Sequence, residues 1–136
     1  MLNRAAEHLE AILTDFAPFP KWGDPAWQNL PEEGRKYLIE LAEQAAKEDL
    51  TVLRATLYMD YKRNGNRTRY QDVYFARRDH LLYLMMGECA EGKGRFIDAI
   101  IDHVWAVCEE TTWVLPAHNT RMTQALPADA LVDFEE

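Results

Sequence analysis

The sequence has only two cysteines, Cys89 and Cys108, and they form no CxxC pair. That spacing excludes a disulfide scaffold and a metal knuckle, and both residues read as buried thiols on helical packing faces. Basic charge is also scarce. With 15 Lys and Arg against 23 Asp and Glu, the formal net charge is −8. A general binder of nucleic acid or of anionic membranes needs a surface that neutralises phosphate, so neither role is expected. No apolar run approaches the length of a membrane span, and the opening MLNRAAEHLEAILTDF lacks the continuous apolar core of a signal peptide. Both a cytoplasmic and a periplasmic location stay open. Strand alternation, low-complexity runs and tandem repeats are missing too. The four histidines, His8, His80, His103 and His118, show no i, i+4 pairing and no HExxH arrangement, so no metal site is expected.

What is present is helical periodicity. Residues 1–136 have the length of one domain, long enough to bury roughly two thirds of the unfolded surface. Leu2, Ala5, Ala6, Leu9, Ile12, Leu13 and Phe16 predict an amphipathic helix over residues 2–16, ended by the prolines at 18 and 20. A loop rich in aromatics follows, with Phe19, Trp22 and Trp27 serving either as a plug over helix ends or as a stacking platform for a flat ligand. Pro31, Glu32 and Glu33 open a second helix, with Tyr37, Leu38, Leu41 and Ala45 on its packing face. Ala42, Ala45 and Ala46 allow a close neighbour. A break near Glu48 to Thr51 starts a third helix, with Leu50, Leu53, Leu57 and Tyr61 in register, which stops at Asn64-Gly65-Asn66. These two helices are expected to pair as an antiparallel hairpin.

The next predicted helix, residues 70–90, has Val73, Tyr74, Leu81, Leu82, Leu84, Met85 and Cys89 on its apolar face, with Arg77, Arg78 and Glu88 inside that face. A buried guanidinium needs carboxylate or carbonyl partners, so these residues either knit helices together or line a wet cleft. Gly92 and Gly94 turn the chain into the last clear helix. There Phe96, Ile97, Ile100, Ile101, Val104, Val107 and Cys108 form the packed side, and Asp98, Asp102, Glu109 and Glu110 the wet one. Trp113, Val114, Leu115 and Pro116 end the helix and bring His118 and Asn119 to a loop tip. Beyond it, Leu126, Leu131, Val132 and Phe134 form a short apolar set.

One region departs from the acidic background: residues 62–78 hold Lys62, Arg63, Arg67, Arg69, Arg77 and Arg78 against the single acid Asp72. A uronic-acid polymer suits such a run, because guanidinium forks bind carboxylates bidentately. The structural alternative is that Arg67 and Arg69 cap or bridge helix ends. A glycoside hydrolase would need two carboxylates facing each other across a cleft, and the acidic stripe of the last helix faces outward instead.

Residues 64–119 resemble the N-terminal part of heparinase II/III-like proteins. The resemblance rests on Asn66-Arg67, Tyr70, Tyr74-Phe75-Ala76-Arg77-Arg78, Glu88-Cys89, Glu91-Gly92-Lys93-Gly94-Arg95-Phe96, Trp105, Cys108-Glu109-Glu110, Trp113 and Pro116-Ala117-His118-Asn119. It implies an all-α fold of helical hairpins forming the opening portion of an (α/α) toroid, in a chain that is the N-terminal part of a longer, bacterial protein. It further implies β-elimination on an acidic polysaccharide by the whole protein, with no redox cofactor. The family's usual catalytic segments lie further along the toroid and in a following β-region, so no catalytic role transfers to this chain. The substrate-side candidates are His118, Asn119, Arg77, Arg78 and Trp113. A truncated toroid leaves apolar helix faces without their next neighbours, so self-association is expected; a noncatalytic carbohydrate-binding or helical interaction module is the alternative.

Overall fold

The computed structural model describes residues 19–119; the predicted helix over residues 2–16, His8 and the apolar set at 126–134 lie outside the described residues. Those described are all-helical, with no strand among them. They comprise a 3-10 turn, Pro25–Asn29, then α1 (Glu32–Ala45), α2 (Ala55–Asn64), α3 (Thr68–Glu91) and α4 (Ile97–Cys108), and a second 3-10 turn, Pro116–His118.

The helix boundaries follow local chemistry. Pro31 precedes α1, and Glu32 and Glu33 sit at its positive end. Gly65 ends α2 and Gly92 ends α3, both in the left-handed region at φ 75° and 70°, where a side chain on Cβ is strained. α2 starts later than the sequence suggests, because residues 49–54 run outside any helix.

α3 is the central element. At 24 residues it is about 36 Å long, and α1, α2, α4 and the first 3-10 turn all pack against it. The expected hairpin of the second and third helices is therefore not the pairing adopted. α1 lies on α3 instead, because its small residues match a glycine there: a Cβ on Gly87 would clash with the Ala42 Cβ and approach the Leu38 carbonyl oxygen to 3.1 Å. Ala42 and Ala45 are buried at this crossing, while Ala46 is exposed.

Two cores flank α3. Ala42, Ala45, Leu84 and Phe96 make the first, with Tyr83, Ala99 and Ile100 against it. Tyr58, Tyr70, Tyr74 and Leu115 make the second, joined by Leu53 and Leu57. In the second, the Tyr58 and Tyr70 rings meet edge to face at 5.1 Å, a favoured aromatic geometry.

Several expected burials are not realised. Only part of the apolar side of α4 faces α3: Phe96 is buried and Ile100 and Val107 are half-buried, whereas Ile97, Ile101, Val104 and Trp105 are exposed. Cys108 is also exposed and Cys89 half-buried, so neither is the fully buried thiol expected. On α3, Leu82 and Met85 are exposed as well. They stand about 140–160° around the helix from Gly87 on the α1 side and from His80, whose ring contacts His103 of α4. No helix among the described residues is long and apolar enough to cross a membrane.

Candidate functional site

A half-open pocket of ≈ 360 Å³ lies where the segment before α2 meets α3 and the end of α4. Leu50, Val52, Leu53 and Ala106 give apolar wall; Tyr58, Tyr70, Arg77 and Glu110 supply the polar groups. Its volume is at the small end of small-molecule sites.

Glu110 is the hub of this region, and its side chain is only 3% exposed. Its Oε1 accepts from Arg77 Nη1 at 2.8 Å and from Arg78 Nη1 at 3.3 Å, and its Oε2 accepts from Arg78 Nη2 at 3.1 Å. Arg77 also donates to the carbonyls of Ala106 and Thr51. Arg78 lies over the Tyr74 ring, 3.4 Å from its centroid, a cation–π contact. Two guanidinium groups on one turn of α3 thus close on a carboxylate just beyond α4. The buried arginines knit elements together, which is the first of the two roles their position in the sequence allows. Glu110 overturns its expected place on the wet face: α4 ends at Cys108, and the next residues turn the side chain inward. Asp98, Asp102 and Glu109 do face solvent.

Tyr70 sits beside this cluster. Burial, reinforced by the nearby Glu110 and Tyr58, raises its phenol well above the usual tyrosine range, and Arg78 and Arg77 only partly offset that. The shift makes the phenol a weaker acid than an exposed tyrosine, so it acts here as a hydrogen-bonding group and not as a base.

The loop after α4 is anchored and is not a free tip. The Tyr74 hydroxyl donates to the Trp113 carbonyl at 3.0 Å, and Trp113 Nε1 donates to the Val107 carbonyl at 3.0 Å. Val114, Leu115, Pro116 and Asn119 are buried, His118 is half-buried and the Trp113 ring stays exposed. Of the five sequence candidates, Arg77 lines the pocket; Arg78 contacts it through Glu110, and Trp113, His118 and Asn119 are not in its wall. Glu110, Tyr58 and Tyr70 also line the pocket, and the sequence pattern does not single them out as site residues. The signal for Glu110 was the pair of in-face arginines, which demanded a carboxylate from elsewhere.

At the other end of α3, the Glu88 carboxylate is buried and takes three N–H donors: the Gly94 amide at 2.6 Å, the Phe96 amide at 3.2 Å and Trp22 Nε1 at 3.4 Å. Trp22 therefore sits at the start of α4 and Trp113 near its end, about 16 Å apart along the helix. Trp27 is held to the Lys21 carbonyl at 3.0 Å, next to Trp22, so Trp113 shares no stacking platform with these two.

The basic run divides in two. Arg77 and Arg78 are internal, while Lys62, Arg63, Arg67 and Arg69 are exposed around the α2–α3 turn. Arg69 pairs with Asp60 at 2.8 Å across that turn and Arg67 Nε donates to Gln71 at 2.9 Å, the bridging role anticipated as the alternative. Among the described residues no three His, Cys, Asp or Glu side chains are grouped to hold a metal ion. Compared with known proteins, the chain matches no family model, and no curated protein matches it at a significant level.

Proposed function

We propose that this chain is the opening helical portion of an (α/α) toroid in a heparinase II/III-like polysaccharide lyase, and that alone it has no lyase activity. One observation carries the reading. The residues behind the family resemblance are occupied in joining helices: Arg77 and Arg78 with Glu110, Tyr74 with the Trp113 carbonyl, Glu88 with the start of α4. Through these contacts they make a wall. The exposed flank of α3 at Leu82 and Met85 supports a wall that continues with further helices.

In the whole protein such a wall would position an acidic polysaccharide for β-elimination. The contribution of this chain is the exposed cationic turn between α2 and α3, where Lys62 and Arg63 stand beside the bridging Arg67 and Arg69 and meet uronate carboxylates. The test combines activity and binding. Incubated with uronate polymers, the chain yields no absorbance from unsaturated products, but it binds uronate oligosaccharides with a salt-dependent affinity and NMR shifts centred on the α2–α3 turn. Robust product formation would overturn the inactive-alone reading. Equal binding of neutral and acidic oligosaccharides, or none of either, would overturn the substrate class.

A further inference from the structure

The pocket beside the start of α2 holds two buried polar atoms that find no hydrogen-bond partner among the described residues, Arg77 Nε and Thr51 Oγ1. Both residues belong to its wall, and they touch, since Arg77 Nη2 donates to the Thr51 carbonyl. The Arg77 side chain is 7% exposed, and its Nη atoms are taken by Glu110 and by the Ala106 and Thr51 carbonyls. Its Nε–H is spare. A buried N–H without an acceptor carries the full desolvation penalty of that group, so an acceptor delivered there recovers what folding leaves unmade.

The two atoms define the missing group. Arg77 Nε–H only donates, whereas a threonine hydroxyl both donates and accepts. A group with an acceptor beside a donor, as in an amide, answers both. Charge favours a neutral molecule. Among the described residues that line the pocket, the carboxylates of Glu109 and Glu110 stand against the single guanidinium of Arg77, whose charge Glu110 already meets at 2.8 Å. An anion would enter against that balance, and a cation would bring only further donors to Arg77. The Tyr70 phenol in the same wall shows the same bias: burial first, then Glu110, pushes it upward, against ionisation. Leu50, Val52, Leu53 and Ala106 supply apolar surface for the rest of the ligand.

We propose that this pocket binds a small neutral amide with a compact apolar body, its carbonyl oxygen accepting from Arg77 Nε and its N–H donating to Thr51 Oγ1. The site and the ligand class differ from those of the cationic turn between α2 and α3, and the inference does not rest on the toroid reading. Both atoms lie just beneath the pocket surface, so the ligand reaches them as residues 50–53 shift outward. That segment runs outside any helix and Val52 is 70% exposed, so no helical ladder resists the movement.

The test uses the full chain and three probes built on one ring: cyclohexanecarboxamide, cyclohexanecarboxylate and cyclohexylmethylamine. In NMR titrations the amide is expected to shift the resonances of residues 50–53 and 106–112 saturably, in the millimolar range that suits so small a ligand. The carboxylate and the amine should bind at least about fivefold more weakly, the worth of one hydrogen bond. Thr51→Val keeps the size of the side chain and the carbonyl that Arg77 uses but removes Oγ1, and it should weaken the amide about fivefold. A thermal melt checks that this variant folds; if it does not, the ranking of the three probes on the wild type decides alone. The proposal is overturned if the amide gives no saturable shifts, if the shifts centre outside the pocket, if the carboxylate or the amine binds as tightly, or if folded Thr51→Val binds the amide unchanged.

Discussion

Replacing Glu110 with Ala removes the carboxylate that holds Arg77 and Arg78, and the structure gives the size of the effect. The Arg77 side chain is 7% exposed and bonded at 2.8 Å, so water cannot replace the lost partner; Arg78 at 21% exposure recovers some solvation. Leaving a buried charge without its counter-ion costs about 3–5 kcal/mol. For a domain of this size that lowers the melting temperature by roughly 10–15 °C. Glu109→Ala is the matched control: one residue away and exposed, it should change stability by no more than about 0.5 kcal/mol. Glu110→Gln should fall between them, because the amide oxygen still accepts from Arg77 while the charge is gone. Thermal melts followed by far-UV circular dichroism measure all three. If Glu110→Ala melts within 2 °C or so of Glu109→Ala, the cluster is not the structural joint argued above.

Other outcomes follow from the same geometry. Gly87→Ala and Ala42→Gly should be coupled by at least about 1 kcal/mol in a double-mutant cycle, since the first forces α1 away from α3 and the second restores the space; additivity would refute the close crossing. The Arg95 guanidinium hydrogen-bonded to Glu91 holds that carboxyl below its usual range. A depressed carboxylate adds stability above its unfolded value of about 4.3 and loses it as the pH falls through the folded value. The melting temperature of the wild type should therefore fall more steeply below about pH 4.5 than that of Arg95→Met, and parallel curves would count against the pair. Sedimentation should show concentration-dependent self-association through the exposed Leu82 and Met85 flank, weakened by Leu82→Glu; a strictly monomeric wild type would contradict it.

Helix content was legible in the sequence because four of the predicted segments have strong 3.6-residue periods and Gly or Pro punctuation, as at Gly65 and Gly92. Pairing was less legible. Periodicity reports that a face is apolar, but not which neighbour meets it, and the shape match of Ala42 to Gly87 outweighed the chain proximity that suggested a hairpin. At the candidate site, the in-face Arg77 and Arg78 announced that a partner existed. Glu110 could not be identified as that partner, because extending the helical wheel of α4 past Cys108 puts it on the wrong side. Asn119 is similar: a polar residue after Pro116 reads as a loop tip, but the preceding Leu115 packs into the tyrosine cluster and Asn119 itself is buried.

The buried Glu88 carboxylate has a consequence for how the molecule opens. Its three donors belong to the aromatic loop, the turn at Gly94 and the start of α4, so releasing any one of them leaves the buried charge short of a donor. These segments form one cooperative unit. The Gly94 and Phe96 amides are accordingly expected to exchange their hydrogens by a shared opening and not by independent fraying, so that a stretch that looks like surface loop should exchange as slowly as the helix ends it joins.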